Sequence, residues 1–177
     1  MEPLSGKEAA SRVTGIISPK HQVHGYSVDL TVKNVYAVDP TGRVDFGGGE
    51  YTPAGRITVA ALRRNPEDKY LWWELGKACY FVEYNETLEL AADELGMIEP
   101  DERLLRAGAS HVPMSVRGRV SPIETLLHVD VMGVGLKQNA RISRVRVFKL
   151  PGAHATVVTQ GVKPAASAPK KAAKKKK

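Results

Sequence analysis

Pro100-Asp101-Glu102-Arg103-Leu104-Leu105-Arg106-Ala107-Gly108 reads as a helix of one to two turns, and the segments on either side of it fall into one order. Asp101 suits an N-cap, because a short carboxylate accepts from the free N–H groups of a first turn. Leu104 and Leu105 can face a core, and Gly108 can stop the helix because it takes a positive φ without a Cβ clash. Free N–H groups at a helix start suit a phosphate. Here Asp101 and Glu102 put two carboxylates beside them, so the expectation is a helix start that repels anions.

Upstream, Val28, Leu30 and Val32 alternate with Asp29, Thr31 and Lys33, the period of a strand, which runs from Tyr26 to Val38 with a kink at Asn34. Asp39-Pro40-Thr41-Gly42 is a turn by composition, and Gly47-Gly48-Gly49 a hairpin end. Arg56 to Leu62 reads as a strand. Pro66 to Leu75 reads as a short helix or covering loop, with Trp72 and Trp73 as core or interface anchors rather than base-stacking platforms. Lys77–Tyr84 and Thr87–Leu90 form a hairpin turned at Asn85-Glu86, and 91–100 is a loop into the helix. A weak helical signal covers Lys7 to Ser11. Downstream, strands are expected at His111–Val116, Thr125–Met132 and Arg141–Leu150. Short strands, frequent turns and little helix point to a β-rich barrel or sandwich.

A chain of 177 residues, 42% apolar, has room for one core. Its organisation reads as an N-terminal segment (1–22), a β-barrel domain (23–150) and a Pro/Ala/Lys-rich basic tail (151–177). The formal charge is +7, yet residues 1–150 carry 19 basic and 19 acidic side chains, so the excess is the tail's 7 lysines. Lys163, Lys170, Lys171, Lys174, Lys175, Lys176 and Lys177, spaced by Ala and Pro, bury nothing, and such a segment is disordered alone. Basic arms of this kind bind polyanions by neutralising phosphates, and Arg117 and Arg119 would extend the basic surface. The single cysteine, Cys79, excludes an internal disulfide and reads as a small core residue of an apolar strand. No apolar run or leader pattern points to a membrane or to secretion, so the expected location is the cytoplasm. His21, His24, His111, His128 and His154 are scattered, and no metal site is expected. There is no P-loop and no G-x-S-x-G.

In this order the segments resemble the dUTPase and dCTP deaminase superfamily over residues 23 to 150. Val28-Asp29-Leu30-Thr31-Val32 is similar to the family's early strand G-x-D-L-x-L. Leu75-Gly76-Lys77-Ala78-Cys79-Tyr80-Phe81-Val82-Glu83-Tyr84, followed by Glu86-Thr87-Leu88, resembles the archaeal hairpin PGxYxVxxxETV. Leu104-Leu105-Arg106-Ala107-Gly108 resembles the tail of P-R-S-S-L-x-R-x-G, and Asn139-Ala140-Arg141-Ile142-Ser143-Arg144-Val145 the closing strand G-A-R-I-A-Q-L. The resemblance implies a distorted, jelly-roll-like β-barrel with one short helix, assembled as a homotrimer.

The departures bear on function. Where active members have Arg-Ser-Ser, whose hydroxyls and N–H groups hold phosphates, this chain has Asp101, Glu102 and Arg103. Where they carry I/W-D-x-G-Y-x-G, whose aspartate activates water in dUTPases, it has Val116-Arg117-Gly118-Arg119-Val120-Ser121-Pro122-Ile123-Glu124, without that Asp and without the Gly-Tyr pair. The closing-strand Gln is Arg144, and the Phe-containing arm is replaced by Pro, Ala and Lys. The leading expectation is therefore a scaffold that has lost catalysis and binds RNA or DNA, or a ribonucleoprotein such as a ribosome, through its lysines. The alternative is an active dUTP diphosphatase or dCTP deaminase in which Glu124 acts as base, with Arg106, Ser110 and Ser121 standing in for the usual residues. Asp29 is read as holding a turn or interface. No cofactor is expected beyond Mg²⁺ for an active dUTPase.

Overall fold

The structure is a computed structural model that describes residues 1–39 and 42–151. In chain order the elements are β1 (Glu2–Pro3), α1 (Gly6–Ala10), β2 (Val13–Thr14), α2 (Pro19–Gln22), β3 (Val28–Val38), β4 (Arg56–Thr58), β5 (Trp72–Leu75), β6 (Ala78–Tyr84) and β7 (Thr87–Glu89). They continue with β8 (Glu94–Pro100), α3 (Glu102–Arg106), β9 (Ala109–His111), β10 (Met114–Val116), β11 (Arg119–Val120), β12 (Glu124–Val129), β13 (Val134–Lys137) and β14 (Arg141–Lys149).

β3 is the spine of a nine-stranded, curled sheet ordered β10-β8-β14-β3-β6-β12-β9, with β1 beside β14 and β4 beside β3. Its first half pairs with β14 and its second with β6, and the register shifts between Val32 and Asn34, where the sequence predicts a kink. Val28, Leu30 and Val32 are fully buried in the core with Val82, Ile98, Leu127 and Val145. The opposite face of β3 is covered too: Asp29 and Thr31 are buried beneath the N-terminal segment. Buried Glu86 fastens it, accepting from the Thr31 N–H at 2.8 Å, the Thr31 hydroxyl at 2.6 Å and the Gln22 amide at 2.7 Å. Two smaller sheets, β11-β7-β2 and β13-β5, complete the fold. The expected mainly-β, dUTPase-like architecture is what the chain adopts.

Three local expectations are corrected. Residues 94–100 form strand β8, not a loop; its inward positions are Glu94, Gly96 and Ile98, so no hydrophobic alternation shows. Glu94 is paid for by Arg12, whose Nε and Nη2 each lie 2.9 Å from its carboxylate. Trp72 and Trp73 lie on strand β5: Trp73 is buried with its indole N–H donating to the Val59 carbonyl at 3.0 Å, while Arg64 stacks 3.7 Å from the Trp72 ring centroid. Cys79 is exposed on β6, its Sγ 3.3 Å from His128 Nδ1, because it takes the outward register of a strand whose inner face is Val82 and Tyr84. The tail lies outside the described residues.

Candidate functional site

Three segments meet at a pocket of about 360 Å³ lined by His24, Ser27, Asp29, Asp101, Glu102, Arg103, Arg141 and Arg144. β3 and β14 run side by side there with Arg144 directly opposite Asp29, and the Asp101 N–H donates to the Ile142 carbonyl at 2.8 Å, docking the start of α3 on β14. A tight turn between Val23 and Val28, closed by the His24 N–H on the Ser27 carbonyl at 2.9 Å, returns His24 over Asp29. A bulge makes the arginine pair possible. Arg141 and Arg144 are three apart, a spacing that in a regular strand points to opposite faces. The register shift between Arg141 and Ser143 absorbs one residue and turns both guanidiniums to the same side.

The charges are matched with little to spare. Asp29 Oδ2 lies 3.0 Å from His24 Nε2, 3.2 Å from Arg141 Nη1 and 3.6 Å from Arg103 Nη2. Its Oδ1 is buried and has no hydrogen-bond partner among the described residues. Asp101 Oδ1 accepts from the Arg103 N–H and from Arg103 Nε, both at 2.9 Å, and its Oδ2 accepts from Arg144 Nη2. Arg144 Nε is likewise buried without a partner. Glu102, also at the pocket, is exposed and paired with Arg106 at 2.5 Å. Three guanidiniums and three carboxylates thus line the pocket, and the acidic start of α3 is matched by Arg103 and Arg144.

Burial works to raise the Asp101 carboxyl, but hydrogen bonds from Arg103 and Arg144 outweigh it and hold the group down at about 2. Burial also lowers His111, whose Nε2 sits 2.7 Å from the Ser143 hydroxyl. Both shifts have the same sign. A depressed folded-state pKa contributes stability that is present above the unfolded value and lost as pH falls through the folded one. The unfolded chain takes up the His111 proton first, below about pH 6.5, and the Asp101 proton below about pH 4. Buried Glu86, pushed up by desolvation, acts in the opposite sense. Calorimetry should therefore show the melting temperature falling from pH 6.5 towards pH 3, with Asp101 contributing on the order of 2 kcal/mol at the acid end. The Asp101→Asn variant should show a shallower decline below pH 4.

The candidate residues read from the sequence do not gather in this pocket. Glu124, on β12, is held by both guanidinium nitrogens of Arg56, with Nη2 at 2.7 Å from Oε2. It lies opposite Glu83, which accepts from Lys33, Asn34 and Tyr36. Arg106 is taken up by Glu102. Ser110 lines a separate groove with Leu105, His128 and Asp130, and the Ser121 hydroxyl lies 3.3 Å from that of Thr87. The residues that do assemble, His24, Asp29, Arg103, Arg141 and Arg144, sit on or beside the matching motif segments. Asp29, read as a turn or interface residue, is the pocket's buried anchor.

No family model matches the chain. Over 137 residues it is 28% identical to a probable deoxyuridine 5′-triphosphate nucleotidohydrolase of Archaeoglobus fulgidus, covering 73% of each chain. Over 150 residues it is 25% identical to the protein of the same name from Methanosarcina barkeri, covering 79% of this chain and 80% of that one. Among solved structures, a 2′-deoxycytidine 5′-triphosphate deaminase from Agrobacterium tumefaciens superposes over 82% of this chain with a TM-score of 0.57 at 15% identity. The sequence likeness to named dUTPases and the shared fold together support the dUTPase/dCTP deaminase superfamily. It spans 47% of the deaminase's length, and that likeness carries the superfamily fold alone.

These likenesses correct the leading functional expectation. A nucleic-acid-binding scaffold finds no support in relatives that cover about three-quarters of the chain and are named for hydrolysis of a nucleotide. Arg117 and Arg119 are engaged within the fold: the first donates to the Ala92 carbonyl at 2.8 Å, and the second lies 3.9 Å from Glu89. Lys163, Lys170, Lys171 and Lys174 to Lys177 fall outside the described residues. No described helix is long and apolar enough to cross a membrane.

Proposed function

We propose that this protein is a pyrimidine deoxynucleotide enzyme, a dUTP diphosphatase, whose substrate triphosphate lies against Arg103, Arg141 and Arg144. The observation that carries this reading is that Arg141 and Arg144, on the strand resembling the closing motif, meet Asp29 of the early strand and Arg103, which stands at the family's phosphate-holding helix start, in one pocket. Forked guanidiniums suit phosphate oxygens, and preorganised positive charge supports the charge that builds on the leaving group. In the reaction, water attacks the α-phosphorus, the bond to the bridging oxygen breaks, and pyrophosphate leaves. Among the described residues no three His, Cys, Asp or Glu side chains cluster in a way that would hold a metal. Mg²⁺ accordingly enters this reading as part of the substrate, on the triphosphate oxygens.

Glu124 is the base in this reading. Held by Arg56 outside the pocket of its own chain, it would serve the pocket of a neighbouring copy in a homotrimer. Unchanged turnover by a Glu124→Gln variant would remove it from that role. Deamination of dCTP is the second reading. The test is incubation of the protein and Mg²⁺ with dUTP and with dCTP, scoring dUMP, pyrophosphate and ammonia. The account expects dUMP and pyrophosphate from dUTP; ammonia from dCTP would move it to the second reading, and no product from either would contradict both.

A further inference from the structure

All three guanidiniums in the pocket already face a carboxylate of the protein: Arg141 lies on Asp29, and Arg103 and Arg144 are both held by Asp101. Asp101 offers Oδ1 to Arg103 and Oδ2 to Arg144, the contacts that two oxygens of a phosphate would make. The pocket is otherwise left unsatisfied. Asp29, 1% exposed, has a buried Oδ1 with no partner among the described residues, and Arg144 keeps a buried Nε with none. Buried polar groups are nearly always paired, so the unpaired Arg144 donor marks a place for a further acceptor such as a phosphate oxygen, while the Asp29 Oδ1 acceptor calls for a donor.

We propose that Asp101 is an internal competitor for the phosphate site, a built-in carboxylate that a ligand must displace from Arg103 and Arg144 before it binds. This rests on the reading of the pocket as the triphosphate site and adds a selection by charge. A monophosphate brings too little charge to displace the carboxylate, whereas a triphosphate reaches Arg141 as well as the two arginines Asp101 holds. Return of Asp101 to Arg144 then helps to expel a monophosphate product. Arg141 and His24 stay on Asp29 throughout, so the pocket keeps its shape while Asp101 leaves. The competitor can be removed without losing the helix start. Asp101 also caps α3 by accepting from the Arg103 N–H, and asparagine or serine caps as well.

Isothermal titration of the full chain with sodium tripolyphosphate and with inorganic phosphate, for wild type, Asp101→Asn and Asp101→Ser, tests the proposal. Asp101→Asn should bind tripolyphosphate about tenfold or more tightly than wild type, and the preference for tripolyphosphate over inorganic phosphate should narrow. Adding Arg144→Ala should cancel the gain. Equal or weaker binding by both folded capping variants, checked by their melting temperatures, would overturn the proposal while leaving the phosphate pocket standing. Absence of tripolyphosphate binding in every protein would overturn the pocket assignment and this inference together, whatever the outcome of the turnover assay.

Discussion

Arg144→Ala should lower kcat/KM for dUTP by about a hundredfold or more. The substitution acts twice. It removes a guanidinium that faces the pocket, and it leaves Asp101 Oδ2 as an unneutralised carboxylate at the place where phosphate oxygens bind. Truncating one partner of a partly buried charge pair costs roughly 2–5 kcal/mol, and about 1.4 kcal/mol is a factor of ten in rate. Arg144→Lys should recover only part of the loss, because an ammonium restores the charge but not the fork that reaches two oxygens. Steady-state kinetics with all three proteins decide the matter. Equal kcat/KM for wild type and Arg144→Ala would place the phosphates elsewhere.

The second large effect is on stability. Leu127 is fully buried at the middle of β12, opposite Tyr80 on β6 and His111 on β9, so its side chain packs into the hydrophobic core. Leu127→Ala should cost about 2–5 kcal/mol through lost burial and the cavity left behind. For a domain of this size that lowers the melting temperature by roughly 10 °C. Leu126, the next residue, is 40% exposed on the outer face, and Leu126→Ala should change the melting temperature by only a degree or two. Comparable losses from both variants would mean the register of β12 is wrong.

Much of the frame was readable from local chemistry. Asp101 caps α3 and Gly108 follows it at φ +86°, as a short carboxylate and a glycine at those positions lead one to expect. The kink at Asn34 is a true register shift. Elements whose inward faces are polar or small were hidden, β8 above all, since Glu94 and Gly96 break the period that marks a strand.

The site was half legible for a related reason. Each motif segment could be aligned, but the direction of its side chains depends on pairing. Arg141 and Arg144 share a face only because β14 is bulged, and Asp101 looks like a repelling charge until Arg103 and Arg144 are seen to take both its oxygens. His24 is far from any motif in character and reaches Asp29 through a turn closed by backbone bonds. Glu124 shows the same dependence on pairing: it opens β12, and in the folded chain its partner is Arg56, contributed by β4, which holds it outside the pocket of its own chain.

The most direct measurement is a crystal structure of the protein grown with Mg²⁺ and the slowly hydrolysed analogue α,β-imido-dUTP. The account predicts phosphate oxygens within hydrogen-bonding distance of Arg103, Arg141 and Arg144, with the Asp101 side chain swung off Arg144. A nucleotide bound elsewhere, or a pocket that keeps the Asp101–Arg144 pair intact at saturating analogue, would contradict it.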